Sequence, residues 1–246
     1  MRVMLFPLIL LFLTLPATST QHSALSFGKN PFSYVLLPTF SPAQRASFSV
    51  CAWLTRDSNH LDFYQYWISY GVLDSFMEFG ISDSGVSYMF GDGMLPKYPW
   101  LRVGEHHHVC YTWGEGRAVV YYDGVEIGRD MTEEGRELIT PGTLILGQFV
   151  SYSGVENIEK FRYFGGEMTG VNIFSGMLTE GVVGEIYRGG RCFDIISRFG
   201  RDNIFVSWQD VLQLERVGSV KEVEVKCPGR ARRSRNYGEL ATFEEF

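Results

Sequence analysis

The stretch HHHVCYTWGEG, residues 106–116, sets three histidines beside a cysteine and a tryptophan. Read as a strand, its side chains alternate between two faces. His106, His108 and Cys110 then share one face, and His107, Val109 and Tyr111 the other. Two histidines with a thiolate beside them make a partial zinc ligand set. A cysteine next to a histidine also outlines a nucleophile and its base. The third reading is a wall, an alternating strand packed into a sandwich. Both chemical readings need a free thiolate at Cys110, and zinc needs a further ligand from elsewhere in the chain.

The surrounding sequence favours the wall. ASFSVCAWL alternates Phe48, Val50, Ala52 and Leu54 against Ser49, Cys51 and Trp53. YQYWISYGV, FMEFGIS, GVSYMFGDG, TLILGQ and EMTGVNIF repeat the pattern of short runs divided by turn residues. In RAVVYYDGVEIGR, Asp123-Gly124 separates two strand-like arms, and Asp-Gly supplies the positive φ angles of a type I′ hairpin. An aromatic content of 15% suits pleated surfaces. The fold class is therefore all-β, a sandwich of short strands. One segment departs from the rhythm. LTEGVVGEIYRGG begins at Thr179, an N-cap residue type, and spaces Val182, Val183, Ile186 and Tyr187 at helical intervals before Gly189 and Gly190 close it. This predicts one short amphipathic helix lying on the sandwich.

Composition bounds the rest. The chain has 246 residues, 45% hydrophobic and 20% charged, with a net charge of -6. That balance offers nothing to a phosphate backbone, so nucleic acid is excluded as a partner. Residues 1–20 read as a secretory signal peptide, with Arg2, then VMLFPLILLFLTLP, then the small residues ATST. The mature domain then spans 21–228 and the protein is expected to be secreted and extracellular. In an oxidising compartment four cysteines, Cys51, Cys110, Cys192 and Cys227, suggest two bridges, with three pairings open. No N-x-S/T sequon occurs, so no N-linked glycan is expected. Residues 229–246 read as a basic-then-acidic tail outside the fold, with few aliphatic residues. Within it Arg230-Ala231-Arg232-Arg233 matches a convertase pattern, against the plainer reading of a solvated basic stretch.

His108-Val109-Cys110-Tyr111-Thr112-Trp113 resembles the pentraxin hallmark H-x-C-x-(S/T)-W-x-(S/T), departing only at Glu115. SFSVCAWL, VVYYDGVEI, TLILGQ, GGEMTGVNIF, LTEGVVGEIYRGG and FVSW agree in order and spacing, so the resemblance covers most of residues 24–214. It implies a flattened antiparallel two-sheet jelly roll, lectin-like, with one short helix. It implies a bridge from Cys51 to Cys110, which leaves Cys192 to pair with Cys227. Closing a loop of the first length stabilises by on the order of 4 kcal/mol. It makes Cys110 a staple, Trp113 core and His108 a packed strand histidine. It also implies rings of five subunits.

The resemblance further implies calcium on the face opposite the helix, bridging to carbohydrate or phosphocholine-like ligands. Calcium takes about six to eight oxygens, so the loops should be acidic. The match is partial. Asp74 and Glu159 stand at family carboxylate positions, with Glu156 and Asn157 as further donors. Ser75 replaces an Asn, Phe149-Val150-Ser151 replaces a Glu-Gln-Asp run, and Arg162 replaces a Gln. Calcium binding, if retained through Asp74 and Glu159, is expected to be weakened. Tyr152, Phe161 and Tyr163 make the same loop aromatic, a candidate surface for sugars or extracellular proteins. Catalysis is not expected. EIGRDMTEE has no two acids spaced two residues apart, and no G-x-S-x-G, H-E-x-x-H or phosphate loop occurs. The two functions in view are a secreted pentraxin-like binder and a non-lectin matrix or self-assembling protein.

Overall fold

The computed structural model describes residues 22–41, 45–57, 65–73, 77–83, 87–89, 93–94, 99–131 and 134–227. The expected signal peptide, the 229–246 tail with its arginine motif, and Asp74 lie outside the described residues. No helix among the described residues is long and apolar enough to cross a membrane.

Two antiparallel sheets face each other. The first contains β1 (Ser23–Phe27), β3 (Ser47–Arg56), β8 (His106–Gly114), β9 (Arg117–Tyr122), β10 (Val125–Met131), β12 (Gly166–Ser175), β13 (Ile204–Val206) and β15 (Lys221–Glu224). Its order is β10-β9-β8-β3-β12-β1-β15, with β13 paired to β12. The second contains β2 (Tyr34–Leu37), β4 (Tyr66–Val72), β5 (Phe79–Ser82), β6 (Ser87–Met89), β7 (Gly93–Met94), β11 (Gly142–Leu146) and β14 (Arg216–Val217), in the order β14-β2-β11-β4-β5-β6-β7. Crossovers in both sheets give a jelly-roll-like sandwich, the all-β class that the alternation predicts with the topology that the resemblance implies.

The main core follows from that alternation. Phe48, Val50, Ala52 and Leu54 of β3 join Val109, Tyr111 and Trp113 of β8 and meet Ile68, Tyr70, Phe79 and Leu144 of the opposite sheet. Phe40, Phe48, Tyr70 and Phe79 pack ring against ring at 5.1–5.9 Å between centroids. Arg56, at the end of β3, reaches across to Asp83 just after β5, with Nε 2.9 Å from Oδ2. Asp83 is fully buried and also accepts from the Gln65 N–H at 3.0 Å. The two sheets thus share a charged tie at one end.

The hairpin between β9 and β10 turns at Asp123 (φ 49°) and Gly124 (φ 77°), both left-handed as a type I′ turn requires. The helix α1 (Glu180–Gly189) covers the outer face of the first sheet. Thr179 holds the N-cap position but makes no side-chain cap bond. Val183 and Ile186 bury against Cys51, Cys110, Val119, Tyr121 and Phe174. Each such side chain stabilises by roughly 1.5–3 kcal/mol.

The expectation of one short helix needs correction. Two more follow, α2 (Ile195–Phe199) and α3 (Trp208–Val211). Local caps make them. Asp194 accepts from the Ser197 N–H, and Ser207 and Asp210 form a reciprocal capping box. FVSW is accordingly not all strand, because β13 ends at Val206 and Trp208 already opens α3.

Candidate functional site

The opening motif is wall. Cys51 and Cys110 face each other across β3 and β8, with Cα atoms 4.0 Å apart, and are bridged. Cys192 pairs with Cys227. No free thiolate remains at Cys110 for zinc or nucleophilic chemistry. His108 is 1% exposed, packed 5.2 Å from the Trp53 ring. Burial holds its imidazole neutral, with a pKa lowered to about 4. His107 points the other way and contacts Asp123 at 2.9 Å. His106 bonds to Thr55 at the exposed end of the strand. The three histidines therefore do not converge.

The outer face of the second sheet is different. On β4, Ile68, Tyr70 and Val72 point into the core, while Ser69 and Gly71 point out. The loop 147–164 lies over these two small residues. The Ser69 hydroxyl donates to the Gln148 carbonyl at 2.8 Å and accepts from the Val150 N–H at 3.0 Å. At Gly71 an added Cβ would sit 2.7 Å from the Tyr152 carbonyl oxygen, so the loop backbone can approach only because that position lacks a side chain. Thr143 on β11 accepts from the Gly154 N–H at 2.7 Å and contacts the Ser153 hydroxyl at 3.2 Å. Within the loop, Val150 pairs with Ile158, and the Asn157 amide donates to the Ser153 carbonyl at 2.7 Å.

Where the resemblance places a calcium-binding acidic run, Phe149 and Val150 are fully buried, Phe149 against Tyr66 and Met77. Glu159 is ion-paired with Arg162 at 3.4 Å, and the Arg162 guanidinium also lies 4.8 Å from the Phe149 ring centre. Asn157 is committed to the loop backbone. Of the carboxylates expected to hold calcium, Glu159 therefore faces a cation, and Asp74 lies outside the described residues.

The aromatic candidates separate. Phe161 is 75% exposed, on the turn that the Arg162 N–H closes onto the Glu159 carbonyl at 3.1 Å. Its neighbour Lys160 lies over the Phe32 ring at 5.1 Å. Tyr152 is 43% exposed but sits over Gly71. Tyr163 is half-buried and bridges to Tyr66. Sequence reading missed the anchors Ser69 and Thr143. The signal was present in YWISYG, where two small residues alternate on one face of an otherwise bulky strand.

A second concavity is lined by Trp113, Glu115, Glu134, Arg136 and Glu137. Glu115 is held by Arg117 and Glu137 by Arg45, each at 3.1 Å.

Residues 28–184 match the family model Laminin_G_3, described as the concanavalin A-like lectin/glucanases superfamily. Among solved structures, the native heptameric SAP-like pentraxin from Limulus polyphemus aligns with a TM-score of 0.58 at 16% identity, over 83% of this chain and 94% of that one. A "putative carbohydrate binding protein" of Bacteroides ovatus aligns with a TM-score of 0.59 at 14% identity, over 85% of this chain and 61% of that one. A Trypanosoma rangeli sialidase shares a smaller part, 61% of this chain and 24% of its own, at 14% identity and a TM-score of 0.48. Comparison with curated proteins found no match.

Proposed function

Because this chain belongs to the concanavalin A-like lectin/glucanases superfamily, we propose that it is a secreted, pentraxin-like recognition module that binds carbohydrate without calcium. The observation that carries the reading is the loop 147–164. Hydroxyls of Ser69 and Thr143 tie it to the sheet, and Arg162 occupies the Glu159 carboxylate. A divalent ion is not needed to order a loop already held in this way. The exposed Phe161 then serves as the stacking platform for a sugar ring. Two bridges suit an oxidising, extracellular setting. The role is binding rather than catalysis, a reading supported by the pairing of Glu115 with Arg117 and of Glu137 with Arg45.

The test is a glycan array and immobilised phosphocholine, run in calcium and again in chelator. Retention that is equal in both supports the reading. Retention lost on chelation overturns its calcium-independent part, and no retention on any ligand overturns the lectin part. Phe161→Ala should weaken retention about 30-fold, the loss of an aromatic anchor of about 2 kcal/mol.

A second reading, self-assembly, is favoured by β10. This strand ends its sheet among the described residues, with Val125 61% and Met131 80% exposed. An open edge with apolar side chains can pair with another chain. Ligand-independent oligomers that Val125→Lys dissolves, seen by sedimentation, support this reading over the first.

A further inference from the structure

The bridge near the end of the chain has a histidine at its side. The Val225 N–H donates to the His22 carbonyl at 2.7 Å, continuing the ladder in which Ser23 faces Glu224. Cys227 follows two residues later. Cys192 arrives from the turn after α1, where the Phe193 N–H closes onto the Gly190 carbonyl at 3.1 Å. A ring nitrogen of His22 and the two sulfurs all lie within 4.8 Å of one another, and all three residues are half-buried. The other bridge has no such setting. Cys51 and Cys110 are fully buried under α1, among apolar side chains.

Zinc bonds to sulfur at about 2.3 Å and to imidazole at about 2.0–2.1 Å, so a tetrahedron places its ligand atoms roughly 3.4–3.8 Å apart. The two cysteine Cα atoms are 5.9 Å apart. Once the sulfur–sulfur bond opens, the sulfurs need to part only to about 3.8 Å, and the imidazole to close by about an ångström, to reach that geometry. The nearby carboxylate of Asp194 is occupied by the Ser197 N–H at 3.0 Å and the Ser197 hydroxyl at 2.6 Å. The fourth position is therefore left to water.

We propose that His22, Cys192 and Cys227 form a redox-gated site for a thiophilic divalent cation, zinc in particular. In the oxidised protein the sulfurs bond to each other. A thiol reductant of the dithiol class delivers two electrons and two protons, becomes a disulfide itself, and leaves Cys192 and Cys227 as thiols. Zinc then displaces both thiol protons to solvent and is held by two thiolates and the neutral imidazole. The metal takes over the bridge's mechanical task, keeping the β15 end of the chain against the turn after α1.

The full chain, reduced with a dithiol and desalted without oxygen, is the material for the test. Alkylation masses should show Cys192 and Cys227 open while Cys51 and Cys110 stay bridged. Titration with cobalt(II) alone should then give one ion per chain with thiolate-to-cobalt charge-transfer bands, displaced by zinc. His22→Ala, which keeps both cysteines, should weaken cobalt binding at least tenfold. Zinc should also raise the unfolding midpoint of the reduced protein and leave that of the oxidised protein unchanged. The proposal fails if the reduced chain shows no charge-transfer absorption, if His22→Ala binds cobalt as the wild type does, or if zinc leaves the reduced protein's midpoint where it was.

Discussion

The two outer faces of the sandwich are covered by opposite means. Over the first sheet, α1 lays Val183 and Ile186 on a bridged pair of strands, and the contact is apolar. Over the second, loop 147–164 lies with its backbone against Ser69, Gly71 and Thr143, and hydroxyl groups hold it beside the apolar anchor of Phe149 on Tyr66 and Met77. An apolar cover derives its strength from buried area and a covalent tie. A polar cover derives it from individual hydrogen bonds, each worth about 0.5–1.5 kcal/mol net. The first face is thus built for stability. The second can present different side chains at its rim without disturbing the core.

Removing the Cys51–Cys110 bridge by double substitution to Ala should give the largest effect, a loss of about 4 kcal/mol for a closed loop of 59 residues. Guanidinium unfolding measures it, and a loss below about 1 kcal/mol would break the claim that this face carries the stability. Acid should act on the same face. His108 titrates near its ordinary 6.5 in the unfolded chain but at about 4 when folded. The unfolded state therefore binds the proton first. Its contribution is complete above pH 6.5 and is lost as pH falls to about 4, by roughly 3 kcal/mol. His108→Leu should remove that share of the pH dependence, read as the difference in unfolding free energy between the two proteins at pH 7 and pH 4.

The loop face should yield smaller numbers. Gly71→Ala sets a methyl against the Tyr152 carbonyl and should cost about 1–3 kcal/mol. Hydrogen exchange should rise across 148–154 and stay unchanged in β3 and β8. Arg162→Gln frees the Glu159 carboxylate from an exposed pair, and stability should move by less than about 1 kcal/mol. Millimolar calcium should leave the wild-type melting temperature unchanged. A rise in the wild type would show that the guanidinium does not replace a divalent ion.

Much of the first face was legible in the chain. Alternation at 48–54 and 106–113 places the inward residues correctly, Asp123-Gly124 marks its hairpin, and the apolar spacing at 182–187 marks α1. These are short-range patterns with a period. The loop face has none. Its key bond joins Ser69 to Gln148, 79 residues apart, and the small residues of YWISYG mark a face that can be approached without naming the segment that covers it. The tie between Arg56 and Asp83 is hidden for the same reason, as is the pairing of Glu159 with Arg162 in a loop chosen for its acids. The short helices α2 and α3 were missed because each depends on a single cap rather than on a repeated face.

One strand sets the tempo of assembly. β1 lies between β12 and β15, and Ser23 at its start also receives the Thr169 hydroxyl at 2.9 Å and the Trp208 indole at 3.0 Å. Its partners all lie more than a hundred residues downstream, so a ribosome must release nearly the whole polypeptide before the opening strand can find its slot. Such distant pairing slows folding. It also brings the two ends of the domain to one edge, where a fused partner at either end would emerge from the same corner.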